Sequence, residues 1–229
     1  MSQRDRFAIP LGLLLAAYVL EAFAGSIPLV TGVLFVLVLI SVMTDPSMPR
    51  PARTLGWIAV ACSVATSVAQ SIFDEPGINL ISHFLNAFVL LLAMVLVVGR
   101  ILSHDKVTVS TVLGGILAYA LLAFAMGTLY EGIDLATDEP FFLQGPEAAG
   151  SYTYFSLIVI TTVGFGDLSP GTDLAQRLVA LEAFIGQVFL VVLVARLVSL
   201  WEVPSRIKNG GDDEGSLKPG STDSEGNDP

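Results

Sequence analysis

The chain contains few of the residues that build disulfides, metal centres or nucleic-acid surfaces. Among its 229 residues the single cysteine, Cys62, excludes a disulfide within the chain. Two histidines are too few for a metal site. Only 14% of the residues are charged, and 21 acidic residues outnumber 11 basic ones, so no nucleic-acid partner is expected. No cluster of His, Cys or paired acidic residues falls within the apolar runs, so we expect no enzyme activity and no cofactor.

Long hydrophobic runs dominate the rest of the sequence. Hydrophobic residues make up 53% of the chain, more than a soluble domain can bury, whereas a bilayer is itself an apolar solvent. Crossing about 30 Å of hydrocarbon takes roughly 20 helical residues. Six segments satisfy this, and the sequence therefore predicts an all-α membrane protein with spans near 7–24, 27–43, 55–73, 79–101, 108–130 and 174–201.

The basic residues predict how the chain is oriented. If the segments alternate across the membrane, only Arg177 of the 11 basic residues lies on the far side. Positive charge favours the cytoplasmic face, so we expect a multi-pass plasma-membrane protein with both termini in the cytoplasm. The N-terminal stretch also resembles a cleavable signal peptide ending near Ala24. However, Glu21 lies in the cleavage region, which favours an uncleaved first helix.

The stretch Thr161–Asp167, with the sequence TTVGFGD, carries the most information about function. A backbone that strips water from K⁺ must direct several carbonyl oxygens at one axis. Glycine at alternate positions lets successive residues alternate between left- and right-handed conformations, and Gly164 and Gly166 supply that freedom. Thr162 adds a hydroxyl at the inner end. This pattern is typical of a potassium selectivity filter.

The heptapeptide resembles the pore signature of the potassium-channel superfamily. Together with the flanking helices it is similar to prokaryotic six-span potassium channels of the pore-loop type. The resemblance implies that a short re-entrant helix, residues 151–161, precedes the filter, and that K⁺, with Rb⁺ also accepted, binds at Thr162, Val163, Gly164, Phe165 and Gly166. Val163 and Phe165 are expected to turn outward. Since one chain carries one copy of the filter, a closed ring requires a homotetramer.

The resemblance also identifies residues that support the filter and departures from the family pattern. Thr161 and Asp167 flank the filter. Tyr154 and Phe155 occupy positions where many relatives have paired tryptophans, and Ile158 occupies one where some relatives have a buried glutamate. Phe165 replaces the more common tyrosine. We expect selectivity to survive these changes, because backbone carbonyls coordinate the ion.

Two residues of the last span leave alternatives open. Glu182 is an ionisable group inside an apolar helix, a costly position that usually has a partner. It either lies behind the filter, hydrogen-bonded to the short helix, or reaches toward the outer vestibule. Gly186, twenty residues after the last filter glycine, is either a bend of the inner helix or a site of close helix packing.

These observations predict three regions. Residues 1–106 form a four-helix membrane scaffold whose fourth helix carries only Arg100 in place of the arginine series of a voltage sensor. Residues 107–202 form the pore domain, and residues 203–229 form a disordered acidic cytoplasmic tail. The predicted function is passive, potassium-selective conduction without voltage gating. A poorly selective pore-loop cation channel and a potassium transporter subunit are the alternatives.

Overall fold

The computed structural model describes residues 5–24, 36–38, 40, 50–73, 75–102, 108–144 and 151–199. Within these residues the chain is helical, and the β-pairing present is an isolated bridge between Phe142 and Pro170. The helices are α1 (Asp5–Ala24), α2 (Arg50–Ile72), α3 (Pro76–Leu102), α4 (Val109–Ala136), α5 (Ser151–Ile160) and α6 (Asp173–Ser199).

Three of these helices, α3, α4 and α6, are long and apolar enough to cross a membrane. The apolar part of α1, Phe7–Leu20, and the whole of α5 are shorter, and α2 is long but less apolar. Most of the predicted second span, 27–43, lies outside the described residues. The structure is therefore that of a helical membrane protein. The six-span layout remains a prediction.

Helix α4 differs from its predicted bounds, because it runs to Ala136 instead of ending near residue 130. Its start is fixed by a reciprocal cap. The Thr108 hydroxyl accepts from the Thr111 amide at 3.3 Å, and the Thr111 hydroxyl accepts from the Thr108 amide at 3.2 Å. The extra turns carry Glu131 and Asp134, whose carboxylates are half-buried. These two residues belong to the helix and not to the loop that follows.

Helix α4 joins the N-terminal helices to the loop that carries the motif. It packs on α3 along a long apolar seam, with α1 and α2 completing the same hydrophobic cluster. On another face it contacts α5 closely at Gly127, where an added Cβ would lie 2.6 Å from Thr153 Cα. Helix α4 therefore fixes the position of α5 and of the segment that follows it.

Candidate functional site

The short helix α5 ends in a hydrogen-bonded motif, and the candidate filter follows directly after it. The Thr162 amide donates to the Val159 carbonyl at 2.9 Å, and the Val163 amide donates to the Ile158 carbonyl at 2.9 Å. These two bonds define a Schellman ending, in which the left-handed residue is usually glycine. Here it is Thr162, with φ 60°. A left-handed β-branched residue costs roughly 1–2 kcal/mol, and such strain is concentrated at functional sites.

The segment after α5 alternates in backbone handedness. Thr162, Gly164 and Gly166 have φ values of 60°, 50° and 79°, whereas no other described residue has a positive φ. Both glycines thus adopt the left-handed conformation that their spacing predicts. In an extended strand, successive carbonyl groups point to opposite sides. Because the handedness reverses at every second residue here, we expect successive carbonyl groups to point to one side.

The carbonyl oxygens of this segment are available to a ligand. The amides of residues 161–164 point back to α5, and each donates to a carbonyl between Leu157 and Val159. In the described part of the chain, the carbonyls of residues 162–166 accept no hydrogen bond. All residues from 161 to 167 are exposed. Exposed carbonyl oxygens that accept no hydrogen bond can coordinate a cation that gives up its water.

Two apolar side chains of the segment are exposed in a single chain. Val163 is 52% exposed and Phe165 is 70% exposed. Helix α6 is also largely uncovered, because among its 27 residues only Ala175, Glu182 and Gly186 are buried. Val163 and Phe165, which were expected to turn outward, are therefore uncovered in a single chain.

A buried polar cluster stands behind the segment. The Tyr130 hydroxyl of α4 donates to Glu182 Oε2 of α6 at 2.6 Å, and Glu182 Oε1 is hydrogen-bonded to the Ser156 hydroxyl of α5. All three side chains are fully buried. Glu182 therefore joins the three helices that surround the candidate filter at one point. This placement is the one expected of a residue behind the filter, and its carboxyl does not reach solvent.

The protons of this cluster can be counted. Ser156 has one hydroxyl proton, but its oxygen also lies 2.7 Å from the Ala123 carbonyl, which can only accept. If Ser156 donates to Ala123, its contact with Glu182 Oε1 is a hydrogen bond only when the carboxyl group supplies the proton. A neutral Glu182 satisfies every contact, and it also avoids an uncompensated charge in the membrane interior.

The C-terminal end of the segment is held by a second hydrogen-bonded pair. The Tyr154 hydroxyl donates to Asp167 Oδ2 at 2.7 Å. This hydrogen bond is the main reason that the pKa of the Tyr154 phenol is raised. The structure thus uses Tyr154 to hold Asp167, directly after the last glycine of the motif. Phe155 has a different role, because its ring packs 4.9 Å from that of Phe142 in the aromatic core.

Asp134 anchors the loop before α5. Its carboxylate accepts from the Phe141 amide at 2.5 Å and from the Tyr152 hydroxyl at 2.7 Å. Burial, followed by this hydrogen bond, raises the pKa of the Tyr152 phenol. The loop is also paired with the chain after the filter, since the Gly171 amide donates to the Phe141 carbonyl at 2.7 Å. Hydrogen bonds therefore hold the N-terminal end of α5 and join the segments that precede α5 and follow the candidate filter.

The C-terminal end of α5 accepts a hydrogen bond from a side chain of α4. The Tyr119 hydroxyl of α4 is hydrogen-bonded to the Ile160 carbonyl, and its ring stacks on Phe189 of α6 with centroids 5.9 Å apart. Sequence reasoning did not identify Tyr119, Tyr130, Tyr152 or Ser156. The sequence contained one signal that could have identified them. Each residue places a polar group in or beside an apolar helix, where that group needs a hydrogen-bond partner.

Gly186 lies where α6 crosses the end of α5. An added Cβ would overlap Ile160 Cγ1, and α6 remains continuous through this residue. This geometry favours the packing alternative. A bend of α6 at Gly186 in another conformation of the protein remains a prediction.

The packing alternative predicts a specific double-mutant result. Gly186→Ala should destabilise the protein by about 1–3 kcal/mol through overpacking. Ile160→Ala removes the overlapping atom, so the double variant should be more stable than the sum of the single effects. Thermal unfolding of the four proteins measures this coupling. Strictly additive effects would show that Gly186 is needed for a reason other than contact with Ile160.

Part of the chain matches a known protein family. Residues 108–202 match the model of a family described as ion channel. The matched segment covers less than half of the chain and contains α4, α5, the filter motif and α6. No curated protein and no solved structure matches the chain. The family match indicates an ion channel of the pore-loop superfamily and favours a protein that is not an enzyme.

Proposed function

We propose that the protein is a potassium-selective channel that conducts passively as a homotetramer. The observation that carries this proposal is the backbone of residues 162–166, in which left-handed φ values recur at every second residue and the carbonyl oxygens are unused. Carbonyl oxygens in such an array can replace the hydration shell of K⁺. Rb⁺, which is close to K⁺ in size, is accepted, and Na⁺ is largely excluded.

Four chains complete the site. One chain contributes one row of carbonyls, so a closed ring around an axis needs four copies related by rotation. The exposure of Val163 and Phe165 supports this assembly, because neighbouring chains would cover both side chains. Helix α5 aims its C-terminal end at the same place in each chain, and the negative ends of four helix dipoles favour a cation there.

The proposed channel lies in the plasma membrane with both termini in the cytoplasm, in accord with the distribution of basic residues. Phe165 in place of tyrosine leaves the coordinating atoms unchanged, since they belong to the backbone. A pore-loop channel of low selectivity uses the same architecture and is the alternative that ion-selectivity measurements distinguish. The family match does not favour a transporter subunit.

The proposed channel has no working voltage sensor. A membrane field does about 2.3 kcal/mol of work per elementary charge per 100 mV. The basic residue in the last turn of α3 is Arg100, and its guanidinium carbon lies 5.0 Å from the centre of the Phe7 ring. One charge at the end of the helix, held against α1, leaves little charge to move through the field.

We therefore expect open probability to vary shallowly with voltage. The measurement is single-channel recording of the purified protein in planar bilayers with symmetric K⁺, repeated with Rb⁺ as the permeant ion. Residual voltage dependence should change with the permeant ion, because it arises from ions moving within the filter. A steep curve that is indifferent to the ion would show that charges elsewhere in the chain sense the field.

A further inference from the structure

An apolar groove lies between α3 and α6, away from the candidate filter. It has a volume of about 320 Å³, and its walls include Val98, Ile101 and Leu102 of α3 and Phe184, Val188 and Val192 of α6. The α6 residues that form its outer wall are exposed, with Phe184 at 66% and Val192 at 56%. Since both helices are long and apolar enough to span a membrane, the groove opens to the hydrocarbon.

The groove has one charged end. Arg196 completes its lining, and its Nη2 donates to the Leu102 carbonyl at the end of α3 at 3.0 Å. This bond fixes the guanidinium beside the groove mouth. A guanidinium presents five N–H donors in a planar fork, so it can hold a backbone carbonyl and a phosphate oxygen together. The groove is therefore apolar along its length and cationic at one mouth.

The dimensions match one leaflet of a bilayer. From Phe184 to Arg196 the rise along α6 is about 18 Å at roughly 1.5 Å per residue. The hydrocarbon core is about 30 Å thick, so the groove covers little more than half of it. Its charged mouth lies at the end of the helices that the basic residues place at the cytoplasmic surface, where anionic lipids are concentrated.

We propose that this groove binds one acyl chain of an anionic phospholipid, with the lipid phosphate at Arg196. The occupant is a lipid of the inner leaflet, because the walls are apolar, the opening is lateral and, among the described residues that line the groove, the one charged side chain, Arg196, lies where a headgroup would be. The site is independent of ion coordination, but it touches the inner helix along half of its length. A bound lipid would thus restrain α6 on the side that faces α3.

The test uses the purified full-length protein in vesicles that contain phosphatidylglycerol with a photoreactive diazirine on its acyl chain. Phosphatidylcholine with the same tail is the comparison lipid. After irradiation, adducts mapped by peptide mass spectrometry should concentrate on the groove walls. Labelling by phosphatidylglycerol should exceed labelling by phosphatidylcholine. Uniform labelling of all lipid-facing helices would overturn the proposal.

Four variants test the contact with the acyl chain and the contact with the headgroup separately. Val188→Phe fills the groove and should reduce labelling by both lipids several-fold, whereas Val95→Phe, at an exposed α3 residue outside the groove, should not. Arg196→Gln should reduce phosphatidylglycerol labelling by roughly fivefold, the effect of one basic residue near an anionic surface. Arg177→Gln, at the other end of α6, should leave it unchanged. Equal labelling in Val188→Phe and the unaltered protein would overturn the proposal.

Two further results would also contradict it. If Arg196→Gln does not change the preference for phosphatidylglycerol, the headgroup is not held at Arg196. Arg196→Lys keeps the positive charge and should retain most of the preference. If a second copy of the chain occupies the groove, a photoreactive amino acid placed at Val188 should form covalently linked dimers on irradiation. Such dimers, together with the absence of lipid adducts in the groove, would replace the lipid by a protein contact.

Discussion

Gly164→Ala is expected to abolish potassium selectivity. Gly164 has φ 50°, and no atom of the same chain lies within 4 Å of an added Cβ. The effect therefore arises from the backbone and not from a clash within the chain. A left-handed alanine costs roughly 1–2 kcal/mol relative to glycine, or roughly 4–8 kcal/mol for four copies in one ring. The backbone should relax by turning a carbonyl away from the axis, which removes an ion ligand.

The measurement is the K⁺/Na⁺ permeability ratio of Gly164→Ala channels in planar bilayers. Gly99→Ala is a matched control, because Gly99 is a helical residue of α3 whose added Cβ also meets no atom within 4 Å. In a helix the same substitution is neutral or slightly stabilising. Normal selectivity in Gly164→Ala would mean that the carbonyls of this segment do not coordinate the ion.

The second large effect is expected at Glu182. Glu182→Ala leaves the buried Tyr130 hydroxyl without an acceptor, at a cost of about 1–3 kcal/mol, whereas Ser156 keeps its bond to the Ala123 carbonyl. Since the cluster joins α4, α5 and α6 behind the filter, we expect a lower unfolding temperature and a conducting state that is short-lived or absent. Thermal unfolding and the duration of K⁺ currents after opening measure the two effects.

Glu182→Gln separates hydrogen bonding from charge. A neutral glutamine can donate to the Ser156 oxygen through its amide nitrogen and accept from Tyr130 through its carbonyl oxygen. It should therefore behave like the unaltered protein in both measurements. Tyr130→Phe, which removes one of the two partners, should lie between the extremes. If Glu182→Gln is as damaging as Glu182→Ala, a negative charge and not a neutral network is what the site requires.

The backbone of the candidate filter could be anticipated because its cause is local. Glycine is the residue that adopts a left-handed conformation without cost, so two glycines at a spacing of two predict two left-handed positions. Both are observed at Gly164 and Gly166. The left-handed Thr162 was not anticipated. Its conformation depends on how α5 ends, which single-residue preferences do not describe.

The supports of the filter could be predicted only in part, because their partners are distant in sequence. An isolated glutamate in an apolar helix predicts that a partner exists. It does not identify Tyr130 and Ser156, which lie 52 and 26 residues away. The end of α4 was misplaced for a related reason. Glu131 and Asp134 lower the local hydropathy and suggest a loop, but both lie within the helix, where Glu131 is 3.5 Å from His83 Nδ1 and Asp134 accepts from Tyr152.

In the N-terminal region, hydropathy alone predicts the membrane helices poorly. Helix α2 forms close to the predicted third span, but its composition is less apolar than that of α3. Ser63 of α2 donates to Asn86 of α3 at 2.8 Å, so part of its polarity is used in helix–helix contact. Polar side chains that are satisfied between helices reduce the hydropathy of a segment without preventing it from packing in a bundle.

The most direct test of the proposed function is the reversal potential of the purified full-length protein in planar bilayers under bi-ionic conditions, with K⁺ on one side and Na⁺ on the other. If the carbonyls of residues 162–165 replace the hydration shell of K⁺, the current should reverse far from zero, at the sign that K⁺ permeation dictates. Replacing Na⁺ by Rb⁺ should bring the reversal potential close to zero. A reversal potential near zero with Na⁺ would contradict potassium selectivity.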